Sequence, residues 1–178
     1  MAINTRMTAA AFLQQPETNL PVELINGEVM MSPTPVPAHQ RAVGRIFKLL
    51  DSLIPDGEVF VAPLDVYLDE ANVVQPDVMW VAEKSACTIL DSYVQGAPDL
   101  VVEVLSPSTA RHDKSTKFRL YEQYGAREYW LVDPQAEFVE VWQRENEDFA
   151  LSGVFGPGDT FDSPALGKSI DANRIFGD

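Results

Sequence analysis

Apolar residues recur along the chain at two spacings, and the elements follow from where each spacing holds. Val22 to Met31 reads as two short strands around Asn26-Gly27, a pair in which both residues tolerate positive φ, and so predicts a tight hairpin turn. Pro33, Pro35 and Pro37 stop the second strand and lead into a helix from about Ala38 to Leu53. Val43, Ile46, Phe47, Leu50, Leu53 and Ile54 form its apolar stripe, and Pro55-Asp56-Gly57 ends it. Val59–Leu68 and Val73–Val81 are β-rich runs separated by Asp69-Glu70-Ala71-Asn72, the pattern of an antiparallel hairpin. Leu100 to Leu105 is almost wholly apolar and predicts a central strand buried on both faces. Ser106-Pro107-Ser108 starts a helix that continues to about Tyr124, where Gly125 closes it. Glu128–Val132 is a further strand, Phe138–Gln143 and Phe149–Phe155 a further hairpin, and the tail from Gly156 reads mostly as loop. The order predicts an α/β fold, a mixed sheet flanked by α-helices.

The chain has 178 residues, no internal repeat and no shift in composition, which predicts one domain over 1–178. Cys87 is the only cysteine, so no intrachain disulfide can form, which fits a reducing compartment. The apolar patch from Met7 to Leu13 is too short for a secretory signal, and no apolar run has the length of a membrane span. The expectation is a cytoplasmic protein with no membrane partner. Net charge is −14, which taken whole repels nucleic acid. The charge is uneven: residues 54–104 hold ten acids and one lysine. Seven of the thirteen basic residues fall in the two predicted helices, Arg41, Arg45 and Lys48 in one and Arg111, Lys114, Lys117 and Arg119 in the other. Those helices present either a locally basic face or plain solvated surface.

Glu103 is the most informative residue. It stands in Leu100-Val101-Val102-Glu103-Val104-Leu105, where an ionised carboxylate costs several kcal/mol unless paired or metal-bound. The plain alternatives are a buried ion pair or a strand end that reaches water. Asp77 follows Pro76, which cannot donate to a ladder and so marks an edge or bulge. Turn chemistry alone would explain it, but if its strand neighbours the central strand the two carboxylates converge. Two hard oxygen donors fit Mg²⁺ or Mn²⁺. Lys117 is the third candidate. Glu103 lies ~10 Å back along the strand from the Ser106 turn, and Lys117 lies ~14 Å into the following helix. A helix folding back over its strand brings them level, where a lysine can orient water beside a metal. A surface pair with Asp113 four residues earlier is the competing account, and Lys114 is a second candidate on the same face. His39 opens the first helix in line with the apolar stripe, as a core residue or as a substrate contact together with Arg41. His112 reads as surface, and a surface hairpin explains Glu23 and Glu28, either of which could instead approach the metal from the side of the first helix. A phosphate-binding glycine loop, a zinc cage and a nucleophile elbow are all missing from the sequence.

Glu23-Leu24-Ile25-Asn26-Gly27-Glu28, His39-Gln40-Arg41, Pro76-Asp77-Val78, Glu103-Val104-Leu105-Ser106-Pro107-Ser108-Thr109, Asp113, Lys117 and Glu128-Tyr129-Trp130-Leu131-Val132-Asp133-Pro134 appear in that order. Over residues 20–155 this series resembles the bacterial Uma-two family of restriction-endonuclease-like proteins, within the PD-(D/E)XK nuclease superfamily. The resemblance implies a restriction-endonuclease-like mixed sheet flanked by helices and metal-dependent cleavage of a phosphodiester. It implies that Asp77, Glu103 and the Val104 carbonyl hold the metal. The superfamily motif has lysine two residues after the glutamate, where this chain has Leu105; Lys117 is where a migrated lysine would sit. The leading expectation is a Mg²⁺- or Mn²⁺-dependent endonuclease acting on nucleic acid, DNA foremost, with Asp77, Glu103 and Lys117 catalytic and a homodimer as one assembly. The alternatives are a non-catalytic binding or assembly module on a nuclease scaffold, favoured by the net charge and by Leu105, and a hydrolase of small phosphoesters.

Overall fold

A computed structural model describes residues 6–16, 20–54, 56–106 and 113–177. After a short helix α1 (Ala9–Phe12), the strands β1 (Val22–Ile25) and β2 (Glu28–Met31) pair through the expected turn, with Asn26 at φ 51° and Gly27 at φ 79°. Helix α2 spans Pro37–Leu53, with proline at its first turn, and buries His39, Ala42, Ile46, Leu49 and Leu50. Ile46 and Leu50 belong to the predicted stripe; Ala42 and Leu49 complete it, and Phe47 is only half-buried.

The two β-rich runs that follow pair with each other as expected, but in two sheets rather than one. Their inner halves, β4 (Val66–Asp69) and β5 (Asn72–Val74), pair in a six-stranded sheet with β1 and β2. Their outer halves, β3 (Glu58–Val61) and β6 (Val78–Val81), pair in a second six-stranded sheet. The breaks fall at Pro63 and Pro76, neither of which carries an N–H for the ladder. The short strands β7 (Thr88–Ile89) and β8 (Val94–Gln95) extend the first sheet.

In the second sheet β9 (Leu100–Val104) is central, antiparallel to β6 and parallel to β10 (Glu128–Asp133). The hairpin β11 (Phe138–Glu145) and β12 (Asp148–Phe155) completes it, in the order β12-β11-β10-β9-β6-β3. One face meets α2: Leu100, Val102 and Val104 pack with Ile46, Leu50, Trp80 and Trp130. The other carries Val101 and Leu105 against Leu120 and Tyr121 of α3 (Phe118–Tyr124). A turn of π-helix, Asp113–Lys117, runs directly into α3, and Gly125 caps α3 in the left-handed region. The predicted start of this helix at Pro107 and Ser108 lies outside the described residues.

The tail departs from the expected loop. It forms the hairpin β13 (Thr160–Ser163) and β14 (Lys168–Asp171) and a last helical turn α4 (Asn173–Phe176). Phe161, Ile170, Ile175 and Phe176 are buried there and close the α2 side of the core. The carboxylate of Glu128 ties the tail down, accepting from Trp130 Nε1 at 2.6 Å, Ser163 Oγ at 3.0 Å and Ala165 N at 3.1 Å. Among the described residues, no helix is long and apolar enough to cross a membrane.

Gly57 turns the chain from α2 into β3 at φ 84°, where an added Cβ would stand 2.3 Å from the Val81 carbonyl oxygen. Gly57→Ala is therefore expected to destabilise the fold by more than about 1 kcal/mol, read as a lower urea midpoint; an unchanged midpoint would show that this turn yields freely.

Candidate active site

Asp77 stands one residue before β6, whose first residue, Val78, pairs with Val102 in the antiparallel β6–β9 ladder. Its charge acts on Glu103 and raises that carboxyl. Asp77 Oδ2 accepts the Val104 N–H at 2.7 Å and a bond from His39 Nε2 at 3.1 Å. Its other oxygen takes part in neither contact. The N-terminal turn of α2 thus reaches the end of β6.

Glu103 is 2 % exposed. Lys117 Nζ lies 2.5 Å from its Oε1, and the Tyr121 hydroxyl donates to the same atom at 3.1 Å. Lys117 also lies 3.0 Å from Glu23 Oε1 and 3.9 Å from Asp113 Oδ1. Glu23 Oε1 in turn accepts the Gln75 N–H at 2.7 Å, next to Pro76 and Asp77. The π-helical turn places Asp113 and Lys117 together in the interior, and the Tyr129 hydroxyl anchors it by donating to the Asp113 carbonyl at 3.1 Å.

Three carboxylates therefore surround one ammonium group. Burial alone would lower the Lys117 pKa, but Glu103 first, then Glu23 and Asp113, outweigh burial and hold it well above its ordinary value. Lys117 is a fixed cation. Burial raises Glu103; Lys117 pulls it back, and Asp77, Asp113 and Glu23 add to the rise. Burial also lowers His39, but its bond to Asp77, the charges of Asp77 and Asp113, and the Val104 backbone turn the net shift upward. Burial, then the charge of Glu103, pushes the Tyr121 hydroxyl well above its usual range, so it stays a donor. His39 Nδ1 and Gln75 Oε1 are buried without a hydrogen-bond partner among the described residues.

The structure brings together Asp77, Glu103, Lys117, His39 and the Val104 backbone. It does not bring in Arg41, which is exposed on α2 and makes no hydrogen bond or ion pair with a described residue. Lys114 points away, to Glu140 at 2.7 Å. His112 lies outside the described residues. Glu23 departs from its expected surface role: it is buried and bonded to Lys117. Its signal was available, because Val22-Glu23-Leu24-Ile25 sets an acid among aliphatics just as β9 does. Asp113 does pair with Lys117, but in the interior rather than on the surface. The buried ion pair that competed with a metal as the account of Glu103 is present, and its cation is the lysine expected beside the metal.

Among the described residues, no three His, Cys, Asp or Glu side chains form a ready-made metal cage. The donor chemistry nonetheless fits a hard divalent cation. Asp77 keeps one oxygen outside its two hydrogen bonds, Lys117 and Tyr121 both address a single oxygen of Glu103, and one lysine faces three carboxylates, which leaves negative charge in excess.

Removing the ammonium should expose this imbalance. Lys117→Met is expected to cost about 3–5 kcal/mol at neutral pH, by urea denaturation, because it strands buried carboxylates. Burial holds Glu103 well above its ordinary range and Lys117 is the group that pulls it back, so in the variant the folded state takes up a proton more readily than the unfolded chain and stability falls as pH rises. The deficit should therefore shrink on acidification; a deficit indifferent to pH would contradict the charge argument.

Comparison with known proteins identifies the fold and the family. A crystal structure of a "putative nuclease belonging to DUF820" from Anabaena variabilis superposes with a TM-score of 0.79 at 20% identity, covering 96% of this chain and 97% of that one. At that identity the likeness shows the fold, which is restriction-endonuclease-like. The uncharacterized protein sll1609 of Synechocystis sp. is 33% identical over 143 residues, 78% of this chain and 81% of its own. The uncharacterized protein slr1290 of the same organism is 31% identical over 80 residues, 44% of this chain and 42% of its own. Residues 9–173 match the Uma2 family, described as "Putative restriction endonuclease". With nearly its whole length matched, the chain belongs to the Uma2 family of restriction-endonuclease-like proteins.

Proposed function

We propose that the protein is a divalent-metal-dependent nuclease that hydrolyses phosphodiester bonds at the Asp77–Glu103 site. One observation carries this reading: the Asp77 carboxylate takes the N–H of Val104, the residue next to Glu103, and the Lys117 ammonium lies 2.5 Å from Glu103. Asp77, Glu103 and the Val104 carbonyl would hold Mg²⁺ or Mn²⁺, which supplies Lewis acidity toward a phosphate oxygen and toward water.

The remaining work belongs to this chain's own groups. Lys117 keeps its proton, so it serves as an electrostatic and hydrogen-bonding group rather than a base. It stands where it can neutralise charge developing on the phosphate or orient the attacking water. Leu105 occupies the position at which the superfamily motif has lysine, and the ammonium arrives instead from the π-helical turn. His39 fixes the carboxylate plane of Asp77, and Tyr121 fixes that of Glu103. Substrate contact by Arg41 would require approach from the exposed side of α2.

A second reading is supported by the same ion pair. Lys117 already neutralises Glu103, so the fold does not require a metal, and a net charge of −14 disfavours nucleic acid. On that reading the chain is a binding or assembly module on a nuclease scaffold.

Labelled DNA and RNA incubated with Mg²⁺ or Mn²⁺ separate the two. The nuclease reading expects cleavage that Glu103→Gln and Asp77→Asn each reduce at least about 100-fold with circular dichroism unchanged, and a metal-dependent rise in Tm for the wild type. Cleavage unaffected by Glu103→Gln, or no cleavage and no shift in Tm with either ion, would leave the scaffold reading standing.

A further inference from the structure

A depression of about 720 Å³ opens on the same sheet face as the carboxylate site. The strand pairing locates it. Glu103 pairs with Leu131, and Leu131 with Glu140, so Glu103, Leu131 and Glu140 form one row across three neighbouring strands. Glu140 lies two strand spacings, roughly 10 Å, from Glu103. Leu131, Glu140 and Trp142 line the depression from the sheet, and Lys114, Phe118 and Arg119 line it from the π-helical turn and α3. The helix that delivers Lys117 inward to Glu103 therefore delivers Lys114 outward to this second space.

Its chemistry is that of an aromatic seat with a cationic rim. Trp142 is held edge-on by Phe118, with ring centroids 4.9 Å apart at 82°. Its indole N–H donates to Glu140 Oε2 at 3.3 Å, and Lys114 neutralises Glu140 Oε1 at 2.7 Å. The ring is thus fixed before any ligand arrives, yet it is half-exposed. Arg119 is exposed at the edge with no ion-pair partner among the described residues. Stacking of a nucleobase on an aromatic ring needs no net positive surface, whereas tracking a long duplex does. A chain of net charge −14 has the first resource and lacks the second.

We propose that this depression seats an unpaired nucleobase next to the scissile phosphate, so that the substrate is single-stranded or locally opened nucleic acid rather than intact duplex. Trp142 and Phe118 take the base, and Lys114 and Arg119 take the adjoining phosphate. The assignment of the neighbouring phosphate rests on the nuclease reading; the binding of the base does not.

The chain supplies its own reporter. Trp80 and Trp130 are buried, and Trp142 is the half-exposed one of its three tryptophans. The intact protein is titrated with short oligothymidylate, with oligouridylate, and with the thymidylate strand annealed to its complement. Titrations run in EDTA and again in calcium, reading tryptophan fluorescence and the anisotropy of labelled strands. Unpaired strands should quench the fluorescence and bind at least about tenfold more tightly than the duplex. Trp142→Leu should weaken strand binding about tenfold, and Trp142→Phe, which keeps a stacking ring, should hold it within about threefold. The two unpaired arms decide between DNA and RNA. No quenching by either strand in either buffer, or equal binding by wild type and Trp142→Leu, overturns the proposal. Cleavage without quenching would remove the base seat and keep the nuclease; quenching without cleavage would do the reverse.

Discussion

An acid at the centre of a β-sheet must be neutralised where it stands, and much of this architecture follows from how Glu103 meets that demand. Little of it reaches solvent, because Val101, Leu105, Tyr121 and Tyr129 are buried on the same side of the core. The compensating charge has to come from a side chain long enough to reach inward and held tightly enough to stay. Lys117 does so from a π-helical turn rather than an α-helical one, and the Tyr129 hydroxyl holds that turn in place. Once the ammonium is buried it demands more negative charge than one carboxylate offers, and Glu23 and Asp113 supply it. The result overshoots, and the surplus of negative charge gives the cluster its chemical interest.

The parts of the cluster arrive from both sheets. Glu23 sits on β1 in one, and Glu103 on β9 in the other. The hairpin that leaves the first sheet at Val74 and enters the second at Val78 carries Gln75, Pro76 and Asp77 across the seam. The site therefore lies where regular pairing is interrupted, which leaves the Val104 N–H to be taken by a side chain, Asp77, instead of a ladder partner. A strand continued through residue 77 would use that N–H in the ladder and turn the carboxylate aside.

Much of this was legible in the sequence, and the rest was hidden for identifiable reasons. The Asn26-Gly27 turn, the stripe of α2 and the apolar run of β9 are each strong local patterns. Glu103 stood out because it violated its surroundings. Glu23 violated its own in the same way, but a strong turn signal three residues later made an ordinary surface hairpin a sufficient explanation. Asp113 was misplaced by assuming a regular helix, in which the fourth residue on is a surface neighbour; a π turn changes which residues face inward. The division of the long hairpin between two sheets is a tertiary fact, although Pro63 and Pro76 mark its location. The tail was read as loop because Gly and Pro punctuate it, and its strands are too short to show a period before Phe161 and Ile170 find the core. The depression beside Trp142 had no sequence signature, since its walls come from elements brought together only by folding.

The order in which the cluster's members occur along the chain has a biological consequence. Residue 23 must meet residue 117 before the centre exists, and strands on both sides of that interval must already be paired. A polypeptide still leaving the ribosome cannot carry the finished centre until the turn at 113–117 has emerged and found the sheet. Assembly of the centre is therefore a late event in the making of the chain, timed by its connectivity.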